Sequence, residues 1–164
     1  ESGEGVMQII GFHNPTEEYG FLSNWYPSYF VKDDVKFSSM EQYMMYSKAM
    51  CFHDKRIAQQ ILQTDDVARI KELGRLVSNY NDQIWSGVRQ IIVYEGLVEK
   101  FSQNKELRDA LLNTGDAVLV ECAVKDKVWG IGLSMKDPKR LEQSLWRGQN
   151  LLGFALMMAR DKVK

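Results

Sequence analysis

Cysteine and histidine are nearly missing: Cys51, Cys122, His13 and His53 are all that 164 residues contain. Two isolated cysteines exclude a disulfide framework and fit a reducing, cytoplasmic setting. Cys51-Phe52-His53 has no further Cys or His close enough in sequence to complete a zinc site, so no metal is expected. Charge of either sign is not in excess, with 21 Lys and Arg against 22 Asp and Glu and a net charge of −1. That balance supplies no global basic field to draw the chain onto nucleic acid or an anionic membrane, though a few arginines can still build a local phosphate site. No apolar run approaches the ~20 residues of a membrane span, and the start carries no signal-peptide pattern, so no membrane partner is expected.

What is present is the composition of one ordinary globular domain, 45% apolar and 26% charged. The opening Glu-Ser-Gly-Glu-Gly-Val (1–6) is small and polar and reads as a disordered or vector-derived tail before a domain spanning 7–164. Ile9 to Phe12 reads as a strand, and Phe30–Lys32 and Val35–Phe37 flank Asp33-Asp34 as a hairpin. Ser38 and Ser39 then offer caps for a helix through Lys48 and Met50. Further helices are expected over Asp54–Leu62 and, capped by Thr64, over Asp65–Leu73, with Gly74 as a C-terminal stop. Asn81-Asp82 opens the longest pattern, to about Phe101, whose stripe (Ile84, Trp85, Val88, Ile91, Ile92, Leu97, Val98 and Phe101) predicts a central helix. Glu106–Leu112 is a shorter helix, Ala117–Val124 a strand that turns toward Val128-Trp129, and Asn150 caps a last helix to Lys162. The expected fold is α+β, a mostly helical single domain around a small antiparallel sheet.

Chemistry concentrates in the segment Phe37 to Met50. On a helix, Glu41 and Lys48 stand seven residues apart, which leaves them about 20° from eclipsed and roughly 10 Å apart along the axis. A carboxylate and an amine on one side of a mostly apolar helix can address two ends of a small polar substrate; the alternative is two charges facing water. Gly20 and Asn24 sit in an aromatic loop suited to close approach and two-way hydrogen bonding, or simply to packing. Gly74-Arg75 sets a guanidinium beside a glycine, either as a phosphate contact or as a surface arginine. Trp85 is a stacking platform or plain core. Trp129-Gly130-Ile131-Gly132 is a strand exit short of any phosphate-loop pattern, and Trp146 to Gly153 leads into a helix N-terminus that favours an anion.

Taken in order, Phe21-Leu22-Ser23-Asn24, Phe37-Ser38-Ser39-Met40-Glu41-Gln42-Tyr43 with Lys48, Gly74-Arg75, Trp85, Trp129-Gly130-Ile131-Gly132 and Trp146-x-Gly148-x-Asn150-Leu151-Leu152-Gly153 form one set. This set resembles the NADAR family, also called YbiA-like or riboflavin-biosynthesis-intermediate N-glycosidases, over Ile10 to Arg160. The resemblance implies cleavage of an N-glycosidic bond, in phosphoribosylamino-pyrimidines or in ADP-ribosylated guanine. It implies a substrate containing ADP-ribose or ribose 5-phosphate, with ADP-ribosylated DNA or RNA as a partner, and no cofactor. Carried over residue by residue, Glu41 matches the family's catalytic glutamate, Lys48 the lysine on the same helix and Trp85 the site tryptophan. Asn24, Arg75, Trp129, Gly130 and Asn150 match sugar- and phosphate-contacting positions, and Gly20 joins them as a substrate-binding candidate from its loop. Some members have an aspartate where this chain has Ile131, a loss that Asp137 would have to compensate.

The implied chemistry has two forms. A glycosylamine opens to an imine at ribose C1, which Lys48 attacks to form a Schiff base while Glu41 moves protons. Alternatively, water attacks directly and the Glu41 carboxylate stabilises an oxocarbenium-like state. A reader of ADP-ribose or NAD that does not turn over is the competing class; retention of both Glu41 and Lys48 favours the enzyme.

Overall fold

A computed structural model describes residues 7–164, and the expectation for residues 1–6 lies outside the described residues. Four strands and six helices run in the order β1 (Ile9–Phe12), β2 (Pro27–Lys32), β3 (Val35–Ser39), α1 (Met40–Cys51), α2 (Lys55–Leu62) and α3 (Val67–Arg75). They continue with α4 (Asp82–Gln103), α5 (Lys105–Leu112), β4 (Val118–Glu121) and α6 (Leu151–Lys162). The fold is α+β, mostly helical. Its antiparallel component is the β2–β3 hairpin; the second pair, β1–β4, is parallel, joining the start of the chain to a segment more than a hundred residues later. Asp33 and Asp34 both take positive φ (50° and 64°), the two-residue turn whose twist suits a hairpin.

The helix at the centre is α1, not α4. Six consecutive residues, Met40 to Met45, are buried, because α2, α3, α4 and β3 all pack around it. On α4 the stripe is narrower than the sequence pattern implies: Ile84 and Ile91 are exposed while Trp85, Val93, Leu97 and Phe101 are buried. Ser39 caps α1 by accepting from the Gln42 amide at 3.1 Å. The buried Gln42 side chain locks the helix in place. It accepts from Ser38 N at 2.7 Å and donates to the carbonyls of Ile61 and Thr64 at 3.1 and 2.9 Å. The Tyr43 ring lies over Gly96 of α4, where a Cβ would come within 2.3 Å of Cε1, and its hydroxyl donates to Ile92 O at 2.8 Å.

Two expected boundaries move. Asp66, rather than Thr64, caps α3, accepting from the amides of Ala68 and Arg69. Gly74 does not end that helix, which continues to Arg75; a Cβ there would lie 2.0 Å from Met45 Sδ, so the glycine serves the α1–α3 contact. Val128-Trp129 forms no strand and lies in an irregular loop.

A candidate active site between the first helix and two loops

Glu41 stands in the first turn of α1, and its amide donates to Asn24 O at 2.9 Å, which fastens the aromatic loop to the start of the helix. The loop is held from below by Lys100 of α4. That lysine is fully buried and donates from Nζ to Phe21 O at 2.7 Å and to Ser23 O at 3.4 Å. With no carboxylate beside it, burial alone pushes the Lys100 amine down to about 7. Ser23, Asn24 and Trp25 therefore face the Glu41 end of α1 from a loop anchored by an internal amine.

A cavity of about 270 Å³ lies there, lined among others by Asn24, Glu41, Lys48, Arg75, Trp85 and Trp129. These six sequence candidates come together from five separate segments. The Glu41 carboxyl is pushed up to about 7, first by burial, with Asp126 adding to the rise and Lys71 and Lys48 opposing it. Lys48 is held below the ordinary lysine range, again mainly by burial, with Arg75 contributing and Glu41 opposing. Its Nζ donates to Gly74 O at 2.8 Å and lies 4.6 Å from the centre of the Tyr80 ring. Both members of the pair thus move toward their neutral forms, as a proton-transfer group and a nucleophilic amine require near neutral pH. Asn24 is buried, and its Oδ1 has no hydrogen-bond partner among the described residues. Trp85 is at once core and cavity wall.

The other candidates fall outside the cavity, each for a structural reason. Gly20 packs against the backbone of Pro15, where a Cβ would meet the carbonyl oxygen at 2.1 Å. Gly130 is hemmed in by the carbonyls of Glu121 and Asp126, at 2.9 and 3.0 Å from a Cβ. Asn150 does not cap α6. It adopts a left-handed conformation, and its buried amide bridges Leu119 O and Glu121 N at 3.0 Å each. Nor is the α6 N-terminus open to an anion, because Leu151 N and Leu152 N donate to the carbonyls of Val128 and Trp129. Asp137 caps a short turn by accepting from Lys139 N at 2.9 Å, and Ile131 is buried in an apolar cluster with Val120, Cys122 and Leu133. Neither lines the cavity, so Asp137 offers no replacement for an aspartate there.

Three residues of the wall were not singled out from sequence: Lys71, Glu121 and Asp126. One carried a signal. Glu121 is the lone charge in the apolar run Ala117–Val124, and charges in a buried strand need a reason. Asp126 is a turn residue, its Oδ1 accepting from Val128 N and Trp129 N at 2.9 Å each. These three, with Ser23 and Trp25, also line an outer cleft of about 810 Å³, which adds His13 and the loop from Ala123 to Val128. Inner cavity and outer cleft are therefore contiguous. Among the described residues no group of three or more His, Cys, Asp and Glu side chains is arranged to hold a metal ion, and no helix is long and apolar enough to cross a membrane.

Fold and site together define a single α+β domain with an acid–amine pocket contiguous with a larger cleft. The NADAR domain profile matches residues 11–164. The chain is 39% identical over 163 residues to N-glycosidase R617 of Acanthamoeba polyphaga mimivirus, covering 94% of this chain and 96% of that protein. Riboflavin biosynthesis protein VVA0006 of Vibrio vulnificus is 32% identical over 97% of this chain, which spans 40% of that longer protein. N-glycosidase YbiA of Escherichia coli is 31% identical over 160 residues, covering 96% of this chain and 91% of that protein. The NMR structure of YbiA superposes with a TM-score of 0.77, covering 96% of this chain and 87% of that one. The chain belongs to the NADAR family.

Proposed function

We propose that this protein cleaves the bond between ribose C1 and an exocyclic amine, and that its substrate is an ADP-ribosyl group on guanine, in a nucleotide or in nucleic acid. With relatives named N-glycosidases over nearly its whole length, it is a hydrolase of N-glycosyl bonds. The observation that carries the finer reading is the pairing of Glu41 and Lys48 in one cavity, each driven toward neutrality by burial.

Lys48 is the nucleophile. Its amine adds to the imine formed when the glycosylamine opens, the aglycone amine departs, and water then frees the sugar from the Schiff base. Glu41 moves protons at the ring oxygen and the attacking water. Direct attack of water, with Lys48 only binding phosphate, is the competing route. Lys71 and Arg75 stand at the cationic wall for phosphate, Trp85 and Trp129 offer apolar faces to the sugar, and the unpartnered Asn24 Oδ1 accepts from a ribose hydroxyl. The contiguous outer cleft favours ADP-ribosyl guanine, since pockets of about 300–1,000 Å³ suit drug-sized ligands and the inner cavity alone falls short. With a net charge of −1, recognition of a modified strand rests on the ADP-ribose rather than on the phosphate backbone.

Release of ribose 5-phosphate from phosphoribosylamino-pyrimidines is a second reading, favoured by the small inner cavity and by the relative named for riboflavin biosynthesis. The test is incubation with an oligonucleotide carrying ADP-ribosylated guanine and, separately, the phosphoribosylamino-pyrimidine, for wild type and Glu41→Gln. Release of ADP-ribose that is lost in the variant supports the first reading, and release of ribose 5-phosphate the second. Binding of ADP-ribose with release from neither makes the protein a reader and removes the roles given to Glu41 and Lys48.

A further inference from the structure

Glu121 closes β4 at the seam between the inner cavity and the outer cleft and lines both. Its two oxygens have different surroundings. Oε1 lies 3.6 Å from His13 Nδ1, whereas Oε2 is buried with no hydrogen-bond partner among the described residues. A carboxylate oxygen kept dry and unpartnered is costly, so at a cavity wall it calls for a ligand or a proton. Strand register builds the pair: Phe12 lies opposite Glu121 in the parallel ladder, and His13 follows one residue beyond. The glutamate side chain is 13% exposed and the histidine 54%, so His13 joins an enclosed carboxyl to solvent.

The other carboxylates of the site have different surroundings. Glu41 shares α1 with Lys48, seven residues on, and Asp126 spends Oδ1 on the amides of Val128 and Trp129. The charged groups acting on Glu121 are His13, Asp126 and Glu17; burial is the largest influence and raises the carboxyl, with Asp126 and Glu17 adding and His13 opposing. Contact with Glu121 in turn raises His13.

From this geometry we infer that Glu121 is a further catalytic residue of the N-glycosidase: the general acid that hands a proton to the leaving exocyclic nitrogen, with His13 relaying its replacement. The inference rests on the reading of the site given above. As the C1–N bond breaks, its electron pair stays on nitrogen, and the Glu121 proton moves to that nitrogen, so the aglycone departs as a neutral amine. The electron pair of the Lys48 nitrogen, or of the ring oxygen in direct hydrolysis, completes the double bond at C1, and Glu121 is left as a carboxylate. When water adds to C1 it gives up one proton through Glu41, and Glu121 regains its proton from solvent by way of His13. The cycle consumes one water and leaves every side chain as it began. Glu41 and Glu121 then divide the work, the first on the sugar side and the second on the aglycone side.

The test uses N-aryl glycosylamines made from ADP-ribose with aniline and with 4-nitroaniline. The nitro group delocalises charge from the departing nitrogen, so 4-nitroaniline needs less help from an acid than aniline does. Glu121→Gln is expected to lower turnover of the aniline compound by about 10²-fold or more, the usual scale of general acid catalysis, and that of the nitroaniline compound by less than about tenfold. Glu41→Gln lowers both alike. His13→Ala is expected to slow the aniline compound and to recover with added imidazole. Equal losses on both compounds in Glu121→Gln, or no loss on either, overturn the assignment while leaving the N-glycosidase reading intact. Wild type inactive on these compounds and on both substrates of the preceding assay overturns the two together.

Discussion

Lys48 Nζ donates to the carbonyl oxygen of Gly74 at 2.8 Å, which ties the last turn of α1 to the last turn of α3. The acceptor belongs to a glycine packed against Met45: a Cβ there would stand 2.0 Å from Met45 Sδ and 3.0 Å from its Cγ, so the methionine side chain would have to shift. Positioning of the amine and close packing of the two helices are therefore one constraint.

Gly74→Ala is expected to lower stability by about 1–3 kcal/mol through overpacking, and to reduce turnover because the Lys48 acceptor moves with the backbone. Gly87→Ala on the exposed side of α4, where a Cβ meets nothing within 4 Å, is the control. It should gain roughly 0.5–1 kcal/mol from helix propensity and leave turnover unchanged. Urea unfolding and initial rates on the same preparations decide both.

Borohydride added during turnover should trap a covalent adduct carrying the sugar on Lys48, read as a mass increase on the peptide that contains it. Lys48→Ala should give no adduct. An adduct that persists in that variant, or none in wild type, replaces the Schiff base with direct hydrolysis.

Glu41 links activity to stability in opposite directions. Its carboxyl is raised from 4.5 to about 7 by burial, so between those values the unfolded chain binds fewer protons than the folded one, and wild type loses stability as pH rises. Glu41→Gln removes that loss. Its stability advantage over wild type should be small near pH 4, grow between pH 4.5 and 7 and then level off, while activity falls by about 10²–10⁴-fold. Denaturant midpoints at a series of pH values measure the first trend, and rates measure the second.

Lys100 has the reverse sign. Burial holds its amine near 7 against an ordinary value of 10.5, so between these the unfolded chain binds more protons and folding gains stability as pH rises. At most the gain is about 1.4 kcal/mol per pH unit, one proton's worth. Lys100→Met should lack this slope, so wild type should gain stability relative to the variant between pH 7 and 8.5. The same variant leaves Phe21 O without its donor, so a rise in KM is expected as the loop carrying Asn24 and Trp25 loosens.

Interactions within a turn of helix or across a hairpin were legible without coordinates. The Ser39 cap, the Asp33-Asp34 turn, the extent of α4 from its Asn81 cap, and the one-sided spacing of Glu41 and Lys48 all depend on residues at most seven apart. The order of short motifs also carried the family. Misread features were those whose cause is distant: Gly74 looked like a helix stop because Met45 was not in view, and Asn150 looked like a cap because the strand it bridges lies 29 to 31 positions earlier.

The sequence by itself determined the helices, the hairpin and the carboxylate–amine pair, because capping, turn conformation and helical period act between near neighbours. Only the tertiary structure decided that α1 is the buried centre, that Lys71, Glu121 and Asp126 join Glu41 at one wall, and that the inner cavity opens into a larger cleft. Those facts arise from packing between separate segments of the chain, Glu41 and Asp126 being 85 residues apart, which no local pattern encodes.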